Sequence, residues 1–148
     1  MARLSTCFVH SGEFEKADDL LDRSWKLLSR VDYYNFLRER FDVMRFKCEC
    51  EITRPNGSKD KLTEALEIAK SALSIAQSLP ASENFEIFYC KLLIAKFYKK
   101  LGNMETCIEQ LKEMRKVEEA NVSDSHFRLF DSQYNSVSVN VFCCAVLL

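Results

Sequence analysis

Only three glycines punctuate these 148 residues, at Gly12, Gly57 and Gly102, and each lies between stretches with helical periodicity. Glycine breaks helices and favours turns, so glycines spaced this widely describe a chain of helix hairpins. Two prolines add too few turn residues to close a many-stranded β fold. Between Gly12 and Arg30, the residues Phe14, Ala17, Leu20, Leu21, Ser24, Trp25 and Leu28 recur at three- and four-residue steps, which is one face of a helix. A second helix is expected from Tyr33 to Glu51, striped by Phe36, Leu37, Phe41, Met44 and Cys48. The run Arg54-Pro55-Asn56-Gly57-Ser58 ends it, because Pro disfavours helix in the residue before it and Asn-Gly is a turn pair. A third helix, Lys61 to Leu79, carries Leu62, Ala65, Leu66, Ala69, Ala72, Leu73 and Ala76 on one face and stops at Pro80. A fourth covers Glu83 to Lys100, and a fifth runs from Met104 to Ala120 with Asn103 as its N-cap.

These helices make residues 1–122 one helical domain and leave 123–148 as a separate tail. In the tail, a cap at Ser123 or Asp124 opens a short helix through Tyr134. From Ser136 on, the alternation Val137, Val139, Val141 reads as a strand or a disordered end.

Charge and cysteine content narrow the function classes. Lys and Arg (21) balance Asp and Glu (22) to a net charge of −1, without the basic excess of a nucleic-acid or membrane-surface binder. The longest apolar run, Val141 to Leu148, is far short of the roughly 20 residues a bilayer helix needs. Ala145 occupies the fourth position from the end, where a prenylation box requires Cys. The seven cysteines are odd in number and show no framework spacing, so they read as reduced, buried thiols of a nuclear or cytoplasmic protein. Cys48 and Cys50 are two positions apart and point to opposite sides of a helix, and neither His10 nor His126 completes a zinc site with them. No cofactor or metal is expected.

The glycines also align a repeat. Gly12, Phe14, Ala17, Leu21 and Ser24 superpose on Gly102, Met104, Cys107, Leu111 and Met114, while Leu4, Ser5 and Phe8 upstream match Ile94, Ala95 and Tyr98. Alternating large and small residues about a glycine turn is the tetratricopeptide pattern, in which a small residue on one helix admits a large one from its neighbour. The chain thus resembles the tetratricopeptide-repeat superfamily, which implies an all-α, right-handed α-solenoid of antiparallel helix hairpins, here about two and a half repeats. The intervals Ala17 to Ala65 and Ala65 to Cys107 exceed the roughly 34 residues usual for the repeat, so either the helices are long or the loop at Pro55 is an insertion. Two and a half repeats, a short first helix and an apolar close suggest part of a longer array, or a chain that sits against a partner.

Within that superfamily, residues 38–114 resemble the C-terminal repeats of the subunit-five family of the anaphase-promoting complex. The resemblance rests on Phe46-Lys47-Cys48, the interrupted loop Arg54 to Lys59, Glu64-Ala65-Leu66-Glu67-Ile68-Ala69, and Ala95 through Asn103 leading into Cys107. It implies a non-catalytic scaffold of a large ubiquitin ligase acting in mitosis, with other subunits of the complex as partners. The alternative is a free-standing adaptor that binds a short peptide or an acidic partner surface.

Catalysis finds little support: two histidines, no phosphate-binding glycine loop and no H-E-x-x-H. No small-molecule substrate is expected. The superfamily lines its inner groove with the first helix of each pair. This places Tyr89, Leu92, Lys96 and Lys99 toward the groove and Lys100 at its rim, a basic and aromatic patch suited to an acidic peptide. Thr6 and Lys96 stand where a chaperone-tail clamp needs Asn, which disfavours that ligand.

Overall fold

The computed structural model describes residues 2–79 and 84–121, and every regular element in them is helical. In order these are α1 (Ala2–His10), α2 (Phe14–Leu28), a 3-10 turn (Tyr34–Phe36), α3 (Leu37–Thr53), α4 (Lys59–Ser78), α5 (Asn84–Lys100) and α6 (Met104–Asn121). The all-α expectation therefore holds for the described residues. The short helix and strand expected beyond Ser123 lie outside them.

Each helix packs on the next in sequence, and α3 also touches α1 and α5. The α1–α2 and α5–α6 turns are built alike. The amides of Ser11, Gly12 and Glu13 donate to the carbonyls of Cys7, Val9 and Phe8 at 3.0, 3.1 and 2.8 Å. Those of Leu101, Gly102 and Asn103 donate to Phe97, Lys99 and Tyr98 at 2.9, 3.0 and 2.9 Å. The pattern is the same in the same register, and both glycines take the left-handed backbone that ends such helices, at φ 78° and 82°. The side chains follow: Ser5, Ala17, Leu21 and Ser24 are buried, as are Ala95, Cys107, Leu111 and Met114. The match lapses at Leu4, which is exposed while Ile94 is buried. We expect Gly12→Ala and Gly102→Ala each to cost about 1 kcal/mol, since an added Cβ meets open space and only the backbone is strained. Equal losses in urea unfolding of the two variants would check this.

The central α3 is buried on two sides, which a single stripe could not convey. Phe41, Met44 and Cys48 face α4 and α5, whereas Val43, Phe46 and Cys50 pack with Ala17 and Leu21 of α2. Cys48 and Cys50 thus enter different parts of the core, as opposite-facing positions on a helix must. Against α3, helix α4 presents Ala65, Ala69, Ala72 and Ala76, all buried, and small residues on this face allow close approach of the axes. The Ser58 hydroxyl caps α4 by accepting the Lys61 amide at 3.3 Å, so this helix begins two residues earlier than its apolar face suggests. Asn103 caps α6 as expected, its Oδ1 accepting the Thr106 amide at 3.3 Å.

Two expectations are corrected. The second helix does not start at Tyr33, because a 3-10 turn intervenes and leaves Phe36 exposed, off the core stripe. The turn at Pro55 is only the short stretch 54–58 between α3 and α4. The wide spacing from Ala17 to Ala65 is taken up by the 3-10 connection and the 17-residue α3.

Candidate functional site

The residues expected to line a groove divide among three surroundings. Tyr89 and Lys96 lie on the side of α5 that faces α3. There the Tyr89 hydroxyl donates to Glu49 Oε1 at 2.5 Å. Arg45 Nη1 donates to the same oxygen at 2.8 Å, and its guanidinium covers the Phe46 ring at 4.2 Å and the Tyr89 ring at 5.6 Å. Lys96 is half-buried. Desolvation lowers its pKa, while the nearby Glu49 carboxylate pulls the other way. Its ammonium makes no hydrogen bond or ion pair among the described residues.

Leu92 does not belong to this face. It is 3% exposed and packs with Ala95, Cys107, Leu111 and Met114, where α5 meets α6. It is the middle residue of α5, at the angle over which α6 packs. Lys99 is exposed, and its charge acts on Cys107, which places it toward α6. Lys100 donates from Nζ to the Arg54 carbonyl at 3.1 Å, tying the end of α5 to the end of α3. The five residues therefore form no single patch. Arg45 and Glu49 join Tyr89 and Lys96 instead. Their spacing, one helical turn apart with opposite charge, was the available signal.

A second polar cluster lies between α2 and the end of α3. Asp18, Cys50 and Glu51 bring one potential metal-ligating atom each within 4.8 Å of one another. Arg54 fills that space: its Nη2 lies 2.6 Å from Asp18 and 3.2 Å from Glu51, and the guanidinium covers Phe14 at 5.1 Å. Burial, with the Asp18 carboxylate beside it, pushes the Cys50 thiol up to about 12, so it stands beside the Arg54 ion pairs as a neutral thiol near neutral pH. The cluster is an ion-pair clasp between α2 and α3.

Cys90 is likewise pushed up to about 12 by burial, and Cys48 and Cys107 are raised for the same reason. In the folded chain a maleimide should modify exposed Cys7, while Cys48, Cys50, Cys90 and Cys107 should react only on unfolding. Peptide mapping after labelling with and without urea reads this directly. No helix among the described residues is long and apolar enough to cross a membrane.

Comparison with known proteins gives one partial likeness. An 85-residue stretch is 33% identical to a nematode resistance protein-like protein, HSPRO1, of Arabidopsis thaliana. The match covers 53% of this chain and 20% of the relative, so the chain spans about a fifth of the length of the curated relative it matches. No family model matches the chain, and no solved structure matches it.

Proposed function

We propose that this chain is a non-catalytic protein–protein interaction scaffold built as a right-handed tetratricopeptide-type solenoid. The observation that carries the reading is the repeated turn. Gly12 and Gly102 sit in one hydrogen-bond pattern, and the buried positions around them, Ala17 with Cys107 and Leu21 with Leu111, fall in one register. Stacked hairpins of this kind act by presenting surface to other proteins. The absence of a catalytic constellation from the sequence motifs agrees with that role.

The residues that resemble the subunit-five repeats, Phe46 to Cys48 and Ala95 to Asn103 among them, make the mitotic ubiquitin ligase the first complex to test. In that setting the chain holds neighbouring subunits in the nucleus or cytoplasm, and the chemistry belongs to others. A tagged chain expressed in dividing cells should recover subunits of that ligase in fixed ratio. Recovery of none of them would end this assignment. The adaptor reading is favoured by Lys96, a half-buried ammonium near Glu49, whose carboxylate already serves Arg45 and Tyr89; the ammonium makes no hydrogen bond or ion pair among the described residues, which suits a carboxylate from an incoming peptide. A monomer that binds acidic peptides and loses them on Lys96→Met would support it.

A further inference from the structure

Nearly all of the large apolar side chains that the described residues leave exposed belong to one corner of the molecule. Leu27, Val31, Tyr33, Tyr34 and Phe36 are exposed along the end of α2, the connection and the 3-10 turn, with Leu4 the one exposed elsewhere. Tyr34 is 80% exposed, and its ring meets Tyr33 edge-on at 5.6 Å between centroids. Apolar side chains clustered in this way, where the other large ones among the described residues are mostly covered, mark an interaction site.

The corner is held in place at some expense. Arg40, 6% exposed, reaches from α3 and donates from Nη2 to the carbonyls of Leu28 and, at 3.3 Å, Val31. Its guanidinium lies 4.9 Å from the Tyr33 ring and 5.8 Å from the Trp25 ring, and its Nε has no hydrogen-bond partner. Asp32 braces the other side of the turn, accepting the Tyr34 amide at 2.9 Å. A buried cation without a carboxylate therefore fixes the segment that displays the tyrosines. Fixing it beforehand removes part of the ordering cost of binding.

The surrounding charge selects the partner. Lys26, in the last turn of α2, and Arg30, in the turn that follows it, are interleaved with Leu27 and Val31, and neither has an ion pair among the described residues. Asp32 is engaged by the turn, and Arg38 is taken by Glu86 at 2.5 Å. Glu39 is the exposed acid that remains nearby. We propose that this corner is a docking surface for an acidic peptide segment carrying aromatic or aliphatic side chains: the carboxylates meet Lys26 and Arg30, and the apolar groups cover Leu27, Val31, Tyr33, Tyr34 and Phe36. An anionic membrane fits less well, since lipid surfaces hold polybasic clusters of roughly four to eight cations and this corner offers two. The surface is distinct from the Tyr89–Lys96 face.

The test uses a fluorescent Glu-rich peptide with spaced phenylalanines, its counterpart with every Glu replaced by Lys, and vesicles of phosphatidylcholine with phosphatidylserine. The acidic peptide is expected to bind and to shift the amide resonances of residues 26–36. Tyr34→Ala and the pair Lys26→Glu and Arg30→Glu are each expected to weaken it by about tenfold with unchanged melting. Lys112→Glu, exposed on α6, should leave binding as it was. Four results would overturn the proposal: no binding of the acidic peptide, equal binding of the lysine peptide, shifts confined to α5, or binding of the vesicles in place of the peptide. Sedimentation showing a dimer that dissociates on Tyr34→Ala would overturn it as well, assigning the corner to a second copy.

Discussion

Replacing Arg40 with Met is expected to lower the melting temperature by about 10 °C, although the change puts a hydrophobic side chain of similar length into a buried site. Removing a buried charge together with its counter-charge is often harmless, but here the partners are main-chain carbonyls that stay behind. The Leu28 and Val31 oxygens would lose a charged donor, each such bond contributing about 1.5–3 kcal/mol, and the stacking on Tyr33 and Trp25 would go with it. The total loss is about 3 kcal/mol, and a domain of this length shifts by roughly 2–4 °C per kcal/mol. Arg40→Lys should recover part of the loss, because one ammonium cannot reproduce the planar fork between two carbonyls and two rings. Calorimetric melting of the three proteins measures this. A Met variant as stable as the native chain would show that the guanidinium does not hold the corner.

Phe97→Ala should cost more, about 4 kcal/mol. Phe97 has no exposed surface and packs with Cys48, Leu62, Ala65, Leu66, Ala69, Leu93 and Ile94, so it joins α3, α4 and α5 in one cluster. Truncation removes its transfer free energy and leaves a cavity that three helices cannot all close upon. Against a total stability of about 5–15 kcal/mol, the variant retains little margin. Phe97→Leu keeps most of the volume and should cost less than about 1.5 kcal/mol. Urea unfolding should give the order native, Leu, Ala, whereas Tyr34→Ala, which removes an exposed ring, should stay within about 0.5 kcal/mol of native. Equal midpoints for the native and Phe97→Ala chains would contradict the described core.

The helices were legible because their signals are local. Gly12 and Gly102 mark turns by a backbone requirement that no neighbour alters, and α2 buries one narrow face between α1 and α3, so burial at Ala17, Leu21 and Ser24 follows the sequence. In α3 the same reasoning found only half the burial. A helix covered on two sides buries Val43 and Phe46 as well as Phe41 and Met44, and its apolar residues no longer trace a single stripe. The 3-10 turn was hidden because Tyr33, Tyr34 and Phe36 look like core residues, and only the distant Arg40 shows why they stand outside. The proposed binding face failed at Leu92 for a related reason. Sequence gives the angular position of a side chain on α5, but not that α6 packs over that angle while α3 brings Glu49 to Tyr89. Arg54 shows the same limit, since its partners Asp18 and Glu51 come from different helices.

The scaffold reading stands on the outer hairpins being the same unit, and a nuclear Overhauser map of the isotope-labelled chain tests that most directly. The account predicts two matching contact sets: the Phe8 ring against the Ala17 and Leu21 cluster, and the Tyr98 ring against the Cys107 and Leu111 cluster. Both should accompany backbone shifts that give a positive φ at Gly12 and Gly102. A chain in which one turn shows this set and the other shows a different register, or none, would contradict the repeat and the function built on it.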